Sequence, residues 1–148
     1  MKTKIFKNTE GNWETLLNDT MKYLNTYIAP HQLINVSICE EDHPNQKGLL
    51  NAIVTHKGDD GYPLSKPEDI KGDIYRHRFY NNQKSWDDIV QKACMEMERQ
   101  GVDEHRFTIA TANQTHHNTQ ALALISWSKV HEDLLADLSR GGCSCNIF

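Results

Sequence analysis

The chain has 148 residues, with 20 acidic and 16 basic side chains and a formal net charge of −4. Its hydrophobic content of 38% and charged content of 24% are typical of a folded globular chain and exclude a disordered one. The acidic balance excludes a broad basic surface for nucleic acid. No apolar run is long enough to cross a bilayer or to act as a leader, so the sequence predicts a cytoplasmic protein.

Residues 1–57 and 74–130 share one apolar pattern when they are aligned without a gap, so that Trp13 falls on Trp86. Behind each Trp, apolar residues recur three and four positions apart, which is the spacing of an amphipathic helix. Further along, both segments contain stretches in which apolar and polar residues alternate, as in half-buried strands. We therefore interpret the chain as a tandem duplication whose two units share one core.

The first unit, about 2–57, contains three predicted strands and a helix. They are a strand at Thr3–Asn8, a helix at Trp13–Ile28 capped by Asn12, and a hairpin of Leu33–Cys39 and Gly48–His56. In the first hairpin strand, Ile34, Val36 and Ile38 are expected to point inward. A connection at 58–73 follows, rich in Pro and Gly and without a sustained period.

The second unit, about 74–130, repeats this order. Its predicted elements are a strand at Ile74–Asn81, a helix at Trp86–Gln100 after a capping box of Ser85 and Asp88, and a hairpin of Arg106–Asn113 and Gln120–Lys129. A short helix at 131–139 comes next, and the glycines at 141 and 142 predict a flexible tail over 140–148.

This order predicts a single α+β domain over residues 1–139. Antiparallel hairpins form either one six-stranded sheet or two three-stranded sheets, both long helices pack on one face, and a pseudo-twofold axis relates the units. The succession of β-α-β-β modules is similar to that of the vicinal-oxygen-chelate metalloenzymes, although their modules carry one more strand. That resemblance concerns topology alone and implies no role for any residue.

The last four residues, Cys145-Asn146-Ile147-Phe148, have the C-a-a-X form of a prenylation signal. Cys143 lies two residues upstream, where a palmitate would add the second lipid that stable membrane attachment requires. The tail resembles those of prenylated small GTPases, although the chain lacks the G-x-x-x-x-G-K-[ST] phosphate-binding motif. The resemblance implies lipidation of Cys145 and Cys143. The alternative is a tail with two exposed thiols.

His43 and His116 occupy equivalent positions in the two predicted hairpin loops, and an Asn follows each of them two residues later. If the loops converge across the axis, then His43, His116 and His117 would hold one metal ion or contact one ligand. The alternative is that both loops are solvated and that the match reflects the preference of turns for Asn. No metal-ligand motif is present, and the sequence predicts no cofactor.

Other conspicuous side chains predict structural roles. Cys39 at a strand end and Cys94 on the apolar stripe of the second helix are expected to be reduced thiols in the core. Trp13 and Trp86 are expected to close the core at the start of each helix. The remaining histidines flank elements and are expected to be exposed: His31, His56, His77, His105 and His131.

Two functions stay open. The first is a non-enzymatic interaction module that binds a protein partner and is held at a membrane by its lipidated tail. The second is a small enzyme, or a protein that binds a metal or small ligand, with its site between the two units. The sequence contains no set of nucleophile, base and orienting group that identifies a reaction, and it leaves a homo-oligomer open. A cavity with converging polar groups would favour the second function.

Overall fold

The elements in a computed structural model follow the predicted order, β-α-β-β twice and then a helix. The structure describes the backbone of residues 1–43, 45–58, 61–82, 85–114 and 119–144, and all of their side chains except 42, 43, 46, 47, 82, 113, 114, 119 and 140–144. The strands are β1 Lys2–Asn8, β2 Leu33–His43, β3 Gln46–His56, β4 Arg76–Asn82, β5 His105–Gln114 and β6 Thr119–Ser128. The helices are α1 Trp13–Tyr27, α2 Trp86–Gln100 and α3 Lys129–Ser144, with a 3-10 turn at Pro30–Gln32.

Two antiparallel three-stranded sheets, in the orders β1-β3-β2 and β4-β6-β5, form the framework of the fold. Each sheet places the last strand of its unit in the centre, flanked by the other two. The predicted α+β class is therefore confirmed. Within the described ranges, no helix is long and apolar enough to span a bilayer.

The helix α1 lies between the two sheets. Its Trp13, Leu16 and Leu17 share one buried cluster with residues of both sheets: Ile38, Leu50 and Ala52 from the first, and Ala110, Ala112, Ala121 and Ala123 from the second. The Trp13 ring stacks on Phe79 of β4 with 5.0 Å between centroids. Because α1 is enclosed on two sides, eight of its residues are buried, whereas α2 has two buried residues in the described structure.

The central strand β6 separates the two long helices. Its Leu122 and Leu124 pack against Ile89 and Ala93 of α2, while the alternate residues, such as Ala123, pack toward α1. Since successive side chains of a strand point to opposite faces, α1 and α2 cover opposite faces of the second sheet. The predicted placement of both helices on one face is therefore wrong. The observed arrangement also disagrees with a pseudo-twofold axis, because a twofold would give both helices the same surroundings. In keeping with this difference, Trp13 is 4% exposed, whereas Trp86 is only half-buried.

Several residues predicted to be buried are exposed. Ile34 is 46% exposed because the pairing of β2 with β3 shifts between Leu33 and Asn35, and this bulge turns the Ile34 side chain outward. Cys39 and Cys94 are both exposed free thiols, so their assignment to the core is wrong. Cys39 follows the inward-facing Ile38 and therefore takes the outer face of the strand, and Cys94 lies beside the narrow buried stripe of α2.

The ends of the helices agree in part with the predicted caps. The Asn12 side chain accepts a hydrogen bond from the Thr15 backbone N–H at 3.1 Å, which confirms it as the N-cap of α1. Ser85 precedes α2, but its hydroxyl lies 3.4 Å from the Asp88 carboxylate and makes no hydrogen bond to the helix backbone. The predicted capping box is therefore not formed, although Gly101 ends α2 with a φ of 80°.

The connection between the units packs against α1 through a buried asparagine. Asn25, on α1, accepts hydrogen bonds from the backbone N–H groups of Ile74 at 2.8 Å and Tyr75 at 2.7 Å. Its side-chain amide donates to the Tyr75 carbonyl at 3.2 Å, and the Tyr75 hydroxyl donates to the Ile28 carbonyl at 2.9 Å. Tyr75 and Ile74 are fully buried, so these hydrogen bonds satisfy backbone groups that water does not reach. The segment before β4 is thereby fixed to the end of α1.

We expect Asn25→Ala to lower the free energy of unfolding by about 2 to 4 kcal/mol, because it leaves the buried N–H groups of Ile74 and Tyr75 without acceptors. Urea denaturation followed by circular dichroism measures this change. Asn18→Ala, an exposed position on the same helix, is the matched control and should change stability by less than about 0.5 kcal/mol. Equal effects of the two substitutions would show that the Asn25 contacts do not hold the segment.

Candidate functional site

Most of the site residues predicted from the sequence lie beyond what the structure describes. His116, His117 and Cys145 are outside the described residues, and only the backbone of His43 and Cys143 is described. The predicted convergence of the histidine loops therefore stays a prediction, as does lipidation of the two cysteines. Among the side chains that are described, no group of three or more His, Cys, Asp or Glu is placed to hold a metal ion.

A cavity of about 610 Å³ lies where β4 begins and β6 ends. Its described lining consists of Ile74, Arg76, His77, Arg78, Gln100, His105, Leu124, Ser126, Trp127, Ser128 and His131. These residues all belong to the second unit or to α3, so the cavity is not the predicted cleft between the units. The described lining includes two arginines and three histidines but no Asp or Glu, although the whole chain has a net charge of −4.

Strand register places most of the polar lining on the face of the second sheet that α2 covers. Arg76 pairs with Ser126 and Arg78 with Leu124 across β4 and β6, and His105 pairs with Ser128 across β5 and β6. Cross-strand partners point to the same face of a sheet, and Leu124 already packs against α2. Because α2 ends at Gln100, which also lines the cavity, this polar part of the face continues past the helix end.

The two arginines of the cavity differ in their partners. The Arg78 guanidinium lies 3.4 Å from Glu96, whose side chain is only 10% exposed and also bonds to Arg99 and Gln100. These hydrogen bonds, with that from Arg99 the largest effect, lower the pKa of Glu96, so its carboxylate is charged at neutral pH. The Arg76 side chain is exposed, and its guanidinium forms no ion pair or hydrogen bond with any residue that the structure describes. Arg76 therefore presents an uncompensated positive charge to the cavity.

Three further nitrogen atoms belong to side chains of the lining. His105 Nδ1 lies 3.4 Å from the Gly101 carbonyl, which only accepts hydrogen bonds, so Nδ1 is the donor in this contact. Trp127 Nε1 and His131 Nδ1 are buried and have no hydrogen-bond partner in the described structure. Since these two atoms expose essentially no surface, they lie behind the cavity wall and do not contact a ligand in the cavity.

Tyr75 supports the wall of the cavity from behind. Its ring contacts Trp127 edge-on, with 5.6 Å between centroids. Burial, together with the charge of Glu132, raises the pKa of Tyr75, which therefore remains a neutral hydroxyl and donates to Ile28. The contacts that fix Tyr75 to α1 thus also fix the position of Trp127.

His77 lies on the opposite face of β4 from the arginines, since it falls between them in the strand. Burial lowers its pKa, and the charge of Glu14 on α1 opposes this effect without cancelling it. His77 is therefore held mainly as neutral imidazole near neutral pH.

A second cavity, of about 410 Å³, lies over α1 and is lined by Phe6, Asp19, Lys22, Tyr23, Thr26 and Tyr27. Beneath it, the Tyr23 hydroxyl lies 3.1 Å from His56 Nε2, and His56 Nδ1 lies 3.2 Å from the Lys57 carbonyl. His56 is fully buried, so its predicted exposure is wrong. Since both of its ring nitrogens are occupied, His56 supports the fold and does not reach this cavity.

Sequence reasoning did not identify the cavity residues. His77, His105 and His131 were predicted only as exposed positions next to secondary structure, and the structure brings all three into one lining. They come from β4, β5 and α3, and no spacing in the sequence relates them. One feature of the sequence could have indicated an anion-binding site, namely the succession Arg76-His77-Arg78 in a chain that is acidic overall.

The free energy of unfolding should depend on the titration of His77. Its pKa in the folded state is lowered, so below the unfolded value of about 6.5 the unfolded chain binds a proton that the folded chain does not. This contribution to stability is fully present above that pH and is lost as the pH falls, at up to about 1.4 kcal/mol per pH unit. Urea denaturation between pH 7.5 and 5.0 should therefore show a shallower loss for His77→Gln than for the wild type. Asn18→Gln, a substitution without a titratable group at an exposed position, should keep the wild-type slope, and identical slopes in all three proteins would contradict the assignment.

A scan of protein-family models, a search of curated proteins and a search of solved structures found no match to this chain. The chemistry of the cavity therefore provides the argument for function.

Proposed function

We propose that this protein binds a small organic anion in the 610 Å³ cavity beside β4. The observation that supports this proposal is the pair of arginines, Arg76 and Arg78, which lie on one face of the lining without an acidic residue among the lining residues described. Guanidinium groups are donors that match carboxylate and phosphate oxygens. The volume lies within the range of ordinary small-molecule sites.

Binding is favoured over catalysis by the contacts of the lining residues. A serine nucleophile needs a base within hydrogen-bond reach, and no such side-chain pair forms among the described residues. The Ser128 hydroxyl instead accepts a hydrogen bond from the His131 backbone N–H at 3.2 Å, as an N-terminal cap of α3 does. This ligand-binding function is the second of the two functions that the sequence left open, with its site moved into the second unit.

We expect Arg76→Gln to weaken the binding of small organic anions by about five- to tenfold, because it removes a guanidinium that no described residue neutralises. Isothermal titration calorimetry with a panel of mono- and dianionic aromatic acids measures the affinity. Arg106→Gln is the matched control, since Arg106 lies outside the lining and faces Glu132 at 3.3 Å. Failure of every anion in the panel to bind the wild type at millimolar concentration would contradict the proposal.

A second proposal concerns the C-terminus, where the sequence Cys145-Asn146-Ile147-Phe148 supports prenylation of Cys145 and acylation of Cys143. The lipids would hold the domain at a membrane surface, where it would meet a protein partner or its ligand. We expect the intact mass of the protein expressed in eukaryotic cells to show loss of the last three residues and addition of an isoprenoid. Cys145→Ser should keep the unmodified mass, and an unmodified wild-type C-terminus would overturn this proposal.

We also infer that the two units arose by duplication. The order β-α-β-β occurs twice, and each unit places its strands in the same order, with the third strand in the centre. The different surroundings of Trp13 and Trp86 then reflect divergence, in which the first helix became enclosed and the second remained on the outside.

A further inference from the structure

We propose that the anionic group held in the cavity is the dianionic phosphoryl group of a phosphate monoester. This inference rests on the proposed anion-binding function and specifies its ligand class. The group would lie on the α2-facing side of the second sheet, between Arg76, Arg78 and Ser126.

The register places donors around one small area of the sheet. Arg76 and Arg78 are two positions apart in β4, so their Cβ atoms are about 7 Å apart on the same face. Ser126 is the direct partner of Arg76, at about 5 Å between Cβ atoms, and it is 8% exposed. The pair of His105 and Ser128 lies one row further along β6 on the same face. Donors on β4 and β6 therefore surround a space in which several oxygen atoms of one ligand group would be bonded.

The charges on this face favour two negative charges on the ligand over one. Two guanidinium groups on neighbouring same-face positions repel each other, and the Glu96 carboxylate that pairs with Arg78 at 3.4 Å is shared with Arg99. A carboxylate or a sulfate ester brings one charge, whereas a phosphate monoester brings about two above its second pKa of about 6. Guanidinium forks also match phosphate oxygens in geometry, which favours this group over a spherical anion.

The cavity has room for more than the phosphoryl group. Its volume of about 610 Å³ is larger than a phosphoryl group needs. An organic moiety attached to the phosphoryl group would occupy the remaining space, where burial of apolar area adds affinity without needing further hydrogen bonds. The ligand class is therefore an organic phosphate monoester in preference to inorganic phosphate.

Phenyl phosphate and phenyl sulfate test this inference, because they share a shape but differ by one charge. We would titrate the full chain at pH 8 by calorimetry with these two compounds, and with benzoate as a planar monoanion. We expect phenyl phosphate to bind at least about tenfold more tightly than either monoanion. Arg76→Gln and Arg78→Gln should each reduce this preference to about threefold or less, and Arg106→Gln should leave it unchanged. Thermal denaturation checks that the variants are folded. Arg76→Gln remains informative if loss of the Glu96 contact unfolds the other variant.

The outcomes separate the two proposals. Equal affinities for the three compounds, all weakened by Arg76→Gln, would overturn the phosphoryl assignment and leave the anion site intact. Absence of binding by all three would overturn both. A preference for phenyl phosphate that survives both arginine substitutions would place the phosphoryl group elsewhere and also overturn the inference.

Discussion

The three hydrogen bonds of Asn25 hold the start of the second unit to the first. The side-chain amide of Asn25, a residue of α1, forms hydrogen bonds with the backbone of Ile74 and Tyr75, where the irregular connection leads into β4. Tyr75 is then fixed to the end of α1 through Ile28, and its ring supports Trp127 in the cavity wall. The position of the cavity relative to the core therefore depends on one buried polar side chain. A buried amide is tolerated here because each of its bonds satisfies a backbone group that would otherwise be unpaired.

The second constraint is the size of the side chains on the two faces of β6. Alanines at 121 and 123, with those at 110 and 112 on β5, leave room for the indole of Trp13 and for Leu16 and Leu17 of α1. Leucines at 122 and 124 fill the wider space toward α2, where few other large side chains are buried. Since small residues allow close approach and large ones fill gaps, this alternation decides which helix each face accepts. It also makes the two units unequal, because the first sheet has no second helix on its outer face among the described elements.

The succession of elements could be predicted from local patterns, whereas their packing could not. Periodicity located the strands and helices, because each period depends on residues that are neighbours in the chain. The same periodicity gives only one apolar stripe per helix, so it did not reveal that α1 contacts two sheets, even though Tyr23 and Asn25 broaden its buried surface. Ile34 fits the strand period but lies at a bulge, which depends on the partner strand and is not visible in β2 alone. The cavity histidines come from three elements, and only the tertiary fold relates them.

The arginines of β4 have a structural explanation that has to be weighed against ligand binding. β4 is an edge strand, and charged side chains on edge strands prevent pairing with other chains. That role is served by any charge at exposed positions of the strand itself. It does not require histidines contributed by β5 and α3 to the same lining. Arg76 and Arg78 repel each other because their positive charges lie close together. No ion pair of Arg76 with a described residue offsets this repulsion. An anionic ligand accounts for the two arginines together with the polar side chains of β5 and β6 on the same face, whereas edge protection accounts only for the arginines.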